Sequence, residues 1–255
     1  MNPRLLLVED DAVTAAFLAQ ALASLPVRLA LASDLAQARA LADGGEALWL
    51  FDAHLPDGRG DALLASLRAR GWRVPALALT AEDDPVALAG LQAAGFVAVL
   101  RKPIGAAALR QAVRGAMAVP APARAAAPAA PACCGAAARP AAGCEEPGRM
   151  ARLAWDDAAA LSALGGEPDA VRALRRLFLQ ELPGQAGTIA AAWSARDEAR
   201  LREHLHRLKA SCAFVGAAGL LESARALHAA PADAGAHSRF QADAAEILSG
   251  PVAQS

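Results

Sequence analysis

Lysine is almost absent from this chain: of 25 basic residues only Lys102 and Lys209 are lysines, and Asn2 is the only asparagine. Tyrosine is missing altogether, and 26 acidic residues bring the net charge to -1. The chain therefore lacks the basic surplus with which proteins bind nucleic acid or an anionic membrane, and no basic recognition helix is visible. No run approaches the roughly 18 consecutive large apolar residues of a membrane span, and the opening Met-Asn-Pro-Arg has neither the charged nor the apolar region of a signal peptide. A soluble, cytoplasmic protein with no nucleic-acid or membrane partner is expected. Cys133, Cys134, Cys144 and Cys212 are too few and too irregular for a disulfide framework, and the clustered three are not read as a metal site.

The two lysines are informative because arginine serves everywhere else. Each marks a position that calls for a compact ammonium rather than a planar guanidinium. Neither belongs to a phosphate loop, which needs Gly-Lys-Ser/Thr, since Pro103 follows one and Ala210 the other. The 55% hydrophobic content is inflated by 73 alanines, and the larger apolar residues amount to an ordinary globular share. A chain of 255 residues suits two modest domains better than one large core.

Short apolar runs at Arg4–Val8, Val27–Leu31, Ala47–Phe51, Val74–Leu79 and Phe96–Leu100 alternate with Ala/Leu-rich stretches such as Thr14–Ser24 and Asp61–Arg70. Strands separated by crossover-length helices predict an α/β doubly wound, five-stranded parallel sheet over residues 1–118. Residues 119–150 collapse into Ala, Pro and Gly and read as a linker with a span on the order of 30 Å. Over 151–255 the periodicity is helical: Leu201, Leu205, Leu208 and Cys212 form one stripe, and Leu174, Leu177, Phe178 and Leu182 form another. Further helices are expected at Ala218–Ala229 and Phe240–Leu248, so the second half reads as an all-α helical bundle.

In an open parallel sheet, ligands bind at the carboxyl ends of the strands. Those ends carry Glu9-Asp10-Asp11, Asp52, Thr80-Ala81 and Lys102-Pro103. Carboxylates converging from two strands need a cation, and hard oxygens suit Mg2+. A metal that neutralises a phosphate lets a carboxylate attack phosphorus while an ammonium and a hydroxyl hold the transferring oxygens. Asp52 is then the nucleophile, Glu9 and Asp10 hold Mg2+ directly or through water, and Thr80 and Lys102 orient the phosphoryl group. Taken singly, the same residues also suit a helix start or a strand-end turn.

With Val8-Glu9-Asp10, Asp52 followed by Leu55-Pro56 and Gly60, Thr80-Ala81 and Lys102-Pro103 in place, residues 4–117 resemble a flavodoxin-like response-regulator receiver domain. The resemblance implies that Asp52 is the phosphoacceptor and that the His54 backbone carbonyl is a further Mg2+ ligand. One departure is Val99, which stands three positions before the lysine where receivers commonly carry an aromatic residue.

In the second half stands His206-Arg207-Leu208-Lys209-Ala210-Ser211. His206 lies about 100° round from Leu205, at the edge of the apolar stripe, with Lys209 one turn ahead on nearly the same face. Neutral imidazole is a nucleophile near its ordinary pKa. This stretch, with Gly216-Ala217 after it and a long Pro183-containing helix before it, resembles the histidine phosphotransfer (HPt) domain. The resemblance implies that His206 is a second phosphoacceptor assisted by Lys209. Ala210 stands where that motif usually has glycine. His204, His228 and His237 read as ordinary solvated histidines.

Together the resemblances imply a phosphorelay intermediate. Asp52 and His206 would exchange phosphoryl groups with a separate histidine kinase, with other response regulators, or with each other if the halves dock. Without an ATP-binding kinase domain, the chain is a phosphotransfer protein rather than a conventional enzyme. The alternative is a non-catalytic regulator in which phosphorylation of the receiver gates partner binding by the helical half.

Overall fold

The computed structural model describes residues 2–81, 84–118 and 155–250. In chain order the first half runs β1 (Arg4–Val8), α1 (Ala12–Leu22), β2 (Arg28–Ala32), α2 (Leu35–Leu41), β3 (Leu48–Asp52), β4 (His54–Leu55), β5 (Gly58–Arg59), α3 (Gly60–Ala69), β6 (Ala76–Thr80), α4 (Pro85–Ala93), β7 (Ala98–Arg101) and α5 (Ala106–Ala118). The five long strands form one parallel sheet in the order β2-β1-β3-β6-β7. Alternation sorts its side chains to two faces. Leu5 and Leu7 join Val13, Phe17, Leu109 and Val113 on one side, while Leu6 and Val8 join Leu35, Leu63 and Leu67 on the other.

After the first strand, each boundary lies one or two residues later than the apolar runs indicate. Pairing is set by backbone hydrogen bonds, which carry the strands past the apolar run into the polar residues Asp52 and Thr80. The register levels the strand ends, with Val8 beside Phe51, Asp52 beside Leu79, and Thr80 beside Arg101. The antiparallel β4–β5 hairpin was not expected, being too short to show a period.

The second half comprises α6 (Asp157–Ala163), α7 (Pro168–Ser194), α8 (Glu198–Val215), α9 (Ala218–Ala229) and α10 (Ala234–Ser249). Pro183 sits on an exposed part of α7, where its missing N–H is tolerated. Asp197 caps α8 by accepting from the Arg200 amide, and Gly216 ends that helix with φ of 77°. A Cβ at Gly216 would lie 2.3 Å from the Asp156 carbonyl oxygen, so only glycine fits. The last helix begins at Ala234 rather than Phe240 because Asp233 accepts from the Gly235 and Ala236 amides. The expected linker at 119–150, with Cys133, Cys134 and Cys144, lies outside the described residues. Among the described residues no helix is long and apolar enough to cross a membrane.

The two halves pack together, with α1 lying against α7 and α8. Their cores merge into one buried apolar cluster, bridged by Phe17 stacked on Phe214 with centroids 4.0 Å apart. Asp11, the cap of α1, completes the junction. Its Oδ1 accepts from the Thr14 amide and from Ser211 Oγ, each at 2.7 Å, and its Oδ2 accepts from Gln185 Nε2 at 3.0 Å.

Candidate functional site

Where β1, β3 and β7 end, the chain gathers three carboxylates and an ammonium. Oxygens of Glu9, Asp10 and Asp52 lie within 4.8 Å of one another. Lys102 Nζ donates to Glu9 Oε2 at 2.5 Å and to Asp52 Oδ2 at 2.7 Å. The His54 amide donates to Asp52 Oδ1 at 3.2 Å. Thr80 is fully buried at the end of β6, and its carbonyl accepts from the Lys102 amide, which fixes β7 beside β6. The Lys102–Pro103 peptide is cis. Gly60 lets α3 start hard against this centre, since a Cβ there would lie 2.3 Å from the Asp52 carbonyl oxygen.

The helical half faces the carboxylates directly. A cavity of about 380 Å3 between the halves is lined by Asp52, His54 and Lys102 on one side and by His206, Arg207 and His228 on the other. Lys209 borders an adjoining cavity of about 220 Å3, together with Arg101, His206 and Arg225. Ala210 lines both cavities and is itself buried, so its methyl group is accommodated where the halves meet. The sequence-predicted residues Glu9, Asp52, His54, Lys102 and His206 thus converge on one space, with Asp10 in the same acidic cluster.

Residues 5–114 match the response regulator receiver domain family. Residues 173–249 match the Hpt domain family. The chain joins a receiver domain to an Hpt domain. Over the first half it is similar to the signal receiver domain of an HD domain-containing protein from Pseudomonas fluorescens Pf-5, with 30% identity over 46% of this chain and 95% of that one and a TM-score of 0.42. It is also similar to the non-phosphorylated HemR receiver domain from Leptospira biflexa, with 25% identity over 48% and 100% and a TM-score of 0.45. The signal receiver domain of a putative Luxo repressor protein from Vibrio parahaemolyticus is 24% identical over 46% and 91%, with a TM-score of 0.44. No curated protein matches the chain. A receiver followed by an Hpt domain makes the chain a phosphorelay component, whose partners are kinases and response regulators.

Electrostatics at the receiver site follow from burial. Burial pushes the Glu9 carboxyl well above its ordinary range; Lys102 pulls it back, and the charge of Asp52 adds to the rise. Asp10 is pushed up to about 6, chiefly by burial, with Arg207 of the Hpt domain acting in the opposite direction. Lys102 is raised: burial alone would lower it, but Glu9 and Asp52 outweigh that cost. The cluster crowds three carboxylates into one place, and Asp10 Oδ1 is buried with no hydrogen-bond partner. Such a donor set fits a hard divalent cation.

In the Hpt domain, His206 is pushed down to about 4, first by burial, then by Lys209, His228 and His54, against a smaller upward pull from Asp52. It is thus a neutral imidazole at neutral pH. Two histidines depart from the solvated role expected of them. His228 lies on the cavity with its ring centroid 6.3 Å from that of His206, and His237 stacks on Trp193 at 4.0 Å. Both are drawn in by helix packing that periodicity does not disclose. His204 does not line the cavity, as its position two residues before His206 requires.

Sequence reasoning missed Arg207, whose Nη1 pairs with Asp10 Oδ2 at 2.8 Å, and Asp11, Gln185 and Ser211, whose hydrogen bonds join the domains. It also missed Arg175, which packs over Trp155, donates to the Val215 carbonyl and pairs with Asp157, tying α6 and α7 to the end of the His206 helix. Nothing in the spacing of these residues signals contacts 174 and 200 positions apart in sequence.

Proposed function

We propose that this chain is a phosphorelay intermediate that carries a phosphoryl group on Asp52 and on His206 and moves it between them within the molecule. It comprises a receiver at 1–118, a tether at 119–150 and an Hpt domain at 151–255, working in the cytoplasm between a histidine kinase and a further response regulator. The observation that carries this reading is the shared cavity, with the Asp52 carboxylate and the neutral His206 imidazole on facing walls.

An Asp52 oxygen attacks the phosphorus of a donor phosphohistidine; the O–P bond forms, the N–P bond breaks, and the donor imidazole leaves. In the onward step the lone pair of neutral His206 attacks that phosphorus. The new N–P bond forms as the acyl O–P bond breaks, and the carboxylate returns to Asp52. Lys102, already donating to Asp52, and the buried Thr80 hold phosphoryl oxygens at the receiver. Lys209 serves the phosphoryl group at His206. Glu9, Asp10, Asp52 and the His54 carbonyl would hold Mg2+, which neutralises phosphoryl charge during transfer. Facing placement of donor and acceptor turns a bimolecular step into one within the molecule.

The test is to label the protein with a small phosphodonor and Mg2+ and to map the label in wild type, Asp52→Asn and His206→Gln. Aspartyl phosphate is base-labile and phosphohistidine acid-labile, so chemistry separates the two sites. Label on His206 that disappears in Asp52→Asn is the expected result. Label confined to Asp52 in wild type overturns internal transfer.

A further inference from the structure

Arg207 reaches from the Hpt domain into the acidic cluster itself. Its Nη1 lies 2.8 Å from Asp10 Oδ2, and the Asp10 side chain is only 9% exposed. On the far side of the cluster Lys102 already serves Glu9 and Asp52. Each carboxylate is therefore held by a protein cation, two of them by the receiver's own lysine and the third by an arginine from the other domain. The satisfaction is incomplete, because Asp10 Oδ1 and Arg207 Nε are both buried without a partner. A partly buried ion pair with a buried, unpartnered atom on each member is held by the fold rather than by an ideal fit.

Arg207 also has somewhere else to go. Its Nη2 pairs with Glu203, one turn back on the same helix, and that carboxylate is half exposed. The guanidinium can release Asp10 and keep a counter-ion without leaving α8. Asp10 cannot be served fully by both a divalent cation and a guanidinium, since two positive groups on one small carboxylate repel each other at close range.

We propose that Arg207 competes with the metal: in the docked chain its guanidinium occupies Asp10, so that docking of the Hpt domain and binding of Mg2+ oppose each other. This rests on the reading of Glu9, Asp10 and Asp52 as the Mg2+ ligands. Linkage makes the opposition reciprocal. Docking weakens Mg2+ binding, and Mg2+ loosens the junction that Asp11, Phe17 and Phe214 maintain. Metal entry and the arrival of an external phosphodonor at Asp52 then favour the same, more open arrangement, and for onward transfer Arg207 must give up Asp10 for Glu203 so that the re-docked chain can hold Mg2+.

The experiment is an isothermal titration of the full chain with MgCl2, in wild type, Arg207→Gln, Arg207→Lys and Asp10→Asn. Hydrogen exchange of the α1 and α8 amides is followed in parallel. Arg207→Gln is expected to bind Mg2+ about tenfold more tightly than wild type, within the usual range of coupling between sites. Arg207→Lys, which keeps the charge, stays near wild type, and Mg2+ speeds exchange in α1 and α8 of the wild type but not of Asp10→Asn. Unchanged or weaker Mg2+ binding in Arg207→Gln overturns the proposal while leaving the metal site standing, provided Asp10→Asn loses binding. If Asp10→Asn binds Mg2+ as wild type does, the metal assignment fails and the proposal with it.

Discussion

Lys102 and His206 show how single side chains take their chemistry from their surroundings. Lys102 is almost completely buried, with two carboxylates on its one ammonium. Lys102→Ala leaves those carboxylates buried and unbalanced, which costs about 3 kcal/mol or more where one partner of a buried pair is removed. Urea unfolding without metal should show that loss, and saturating Mg2+ should recover part of it; an unaltered midpoint would refute the pairing. His206 has the opposite problem, since its charged form is the one disfavoured. Its ordinary value of 6.5 falls to about 4 in the folded chain. Below pH 6.5 the unfolded state therefore binds the extra proton while the native state does not. The stability His206 contributes is present above pH 6.5 and is lost as pH falls from there toward about 4. NMR titration of the His206 ring should give a midpoint near 4, and a midpoint near 6.5 would show that the imidazole is solvated.

At the scale of elements, strand ends and helix caps decide where the chemistry sits. α1 starts at Ala12 because the Asp11 carboxylate caps it by accepting from the Thr14 amide, and that start leaves Glu9 and Asp10 in the short bend between β1 and α1. α8 stops at Gly216, whose left-handed backbone brings the chain within reach of Asp156. Gly216→Ala should destabilise the Hpt domain by about 2 kcal/mol, combining a strained conformation with a collision against backbone. Denaturant unfolding would reveal it, and a change under 0.5 kcal/mol would mean that the Asp156 segment yields readily. These devices were largely legible. The apolar runs announced the five strands, and the i, i+4, i+7, i+11 stripe placed the His206 helix. The β4–β5 hairpin and the true start of α10 were not legible, because the first has too few residues for a period and the second depends on one capping aspartate.

For the whole molecule the decisive feature is the apolar joint between the domains. Phe17 and Phe214 come from different domains, yet each is buried to 1% exposure or less. Phe214→Ala should therefore weaken docking as well as the Hpt core, at about 3 to 5 kcal/mol for a buried Phe truncation. With the joint opened, label should pass more slowly from Asp52 to His206, and His206 should become a better partner for an added foreign receiver. Equal internal transfer rates in wild type and Phe214→Ala would mean that the tether alone brings the two sites together.

The sequence by itself determined the two folds and where along the chain the candidate site residues stand. Hydrophobic period is a local property, and the strand-end residues Glu9, Asp10, Asp52, Thr80 and Lys102 and the helix residues His206 and Lys209 are placed by that period alone. Only the tertiary structure decided that His206 faces Asp52, that Arg207 takes Asp10, and that His228 lines the shared cavity rather than open solvent. Those relations join residues roughly 150 to 200 positions apart through the fit of two surfaces, and a fit between surfaces has no repeat along the chain from which it could be read.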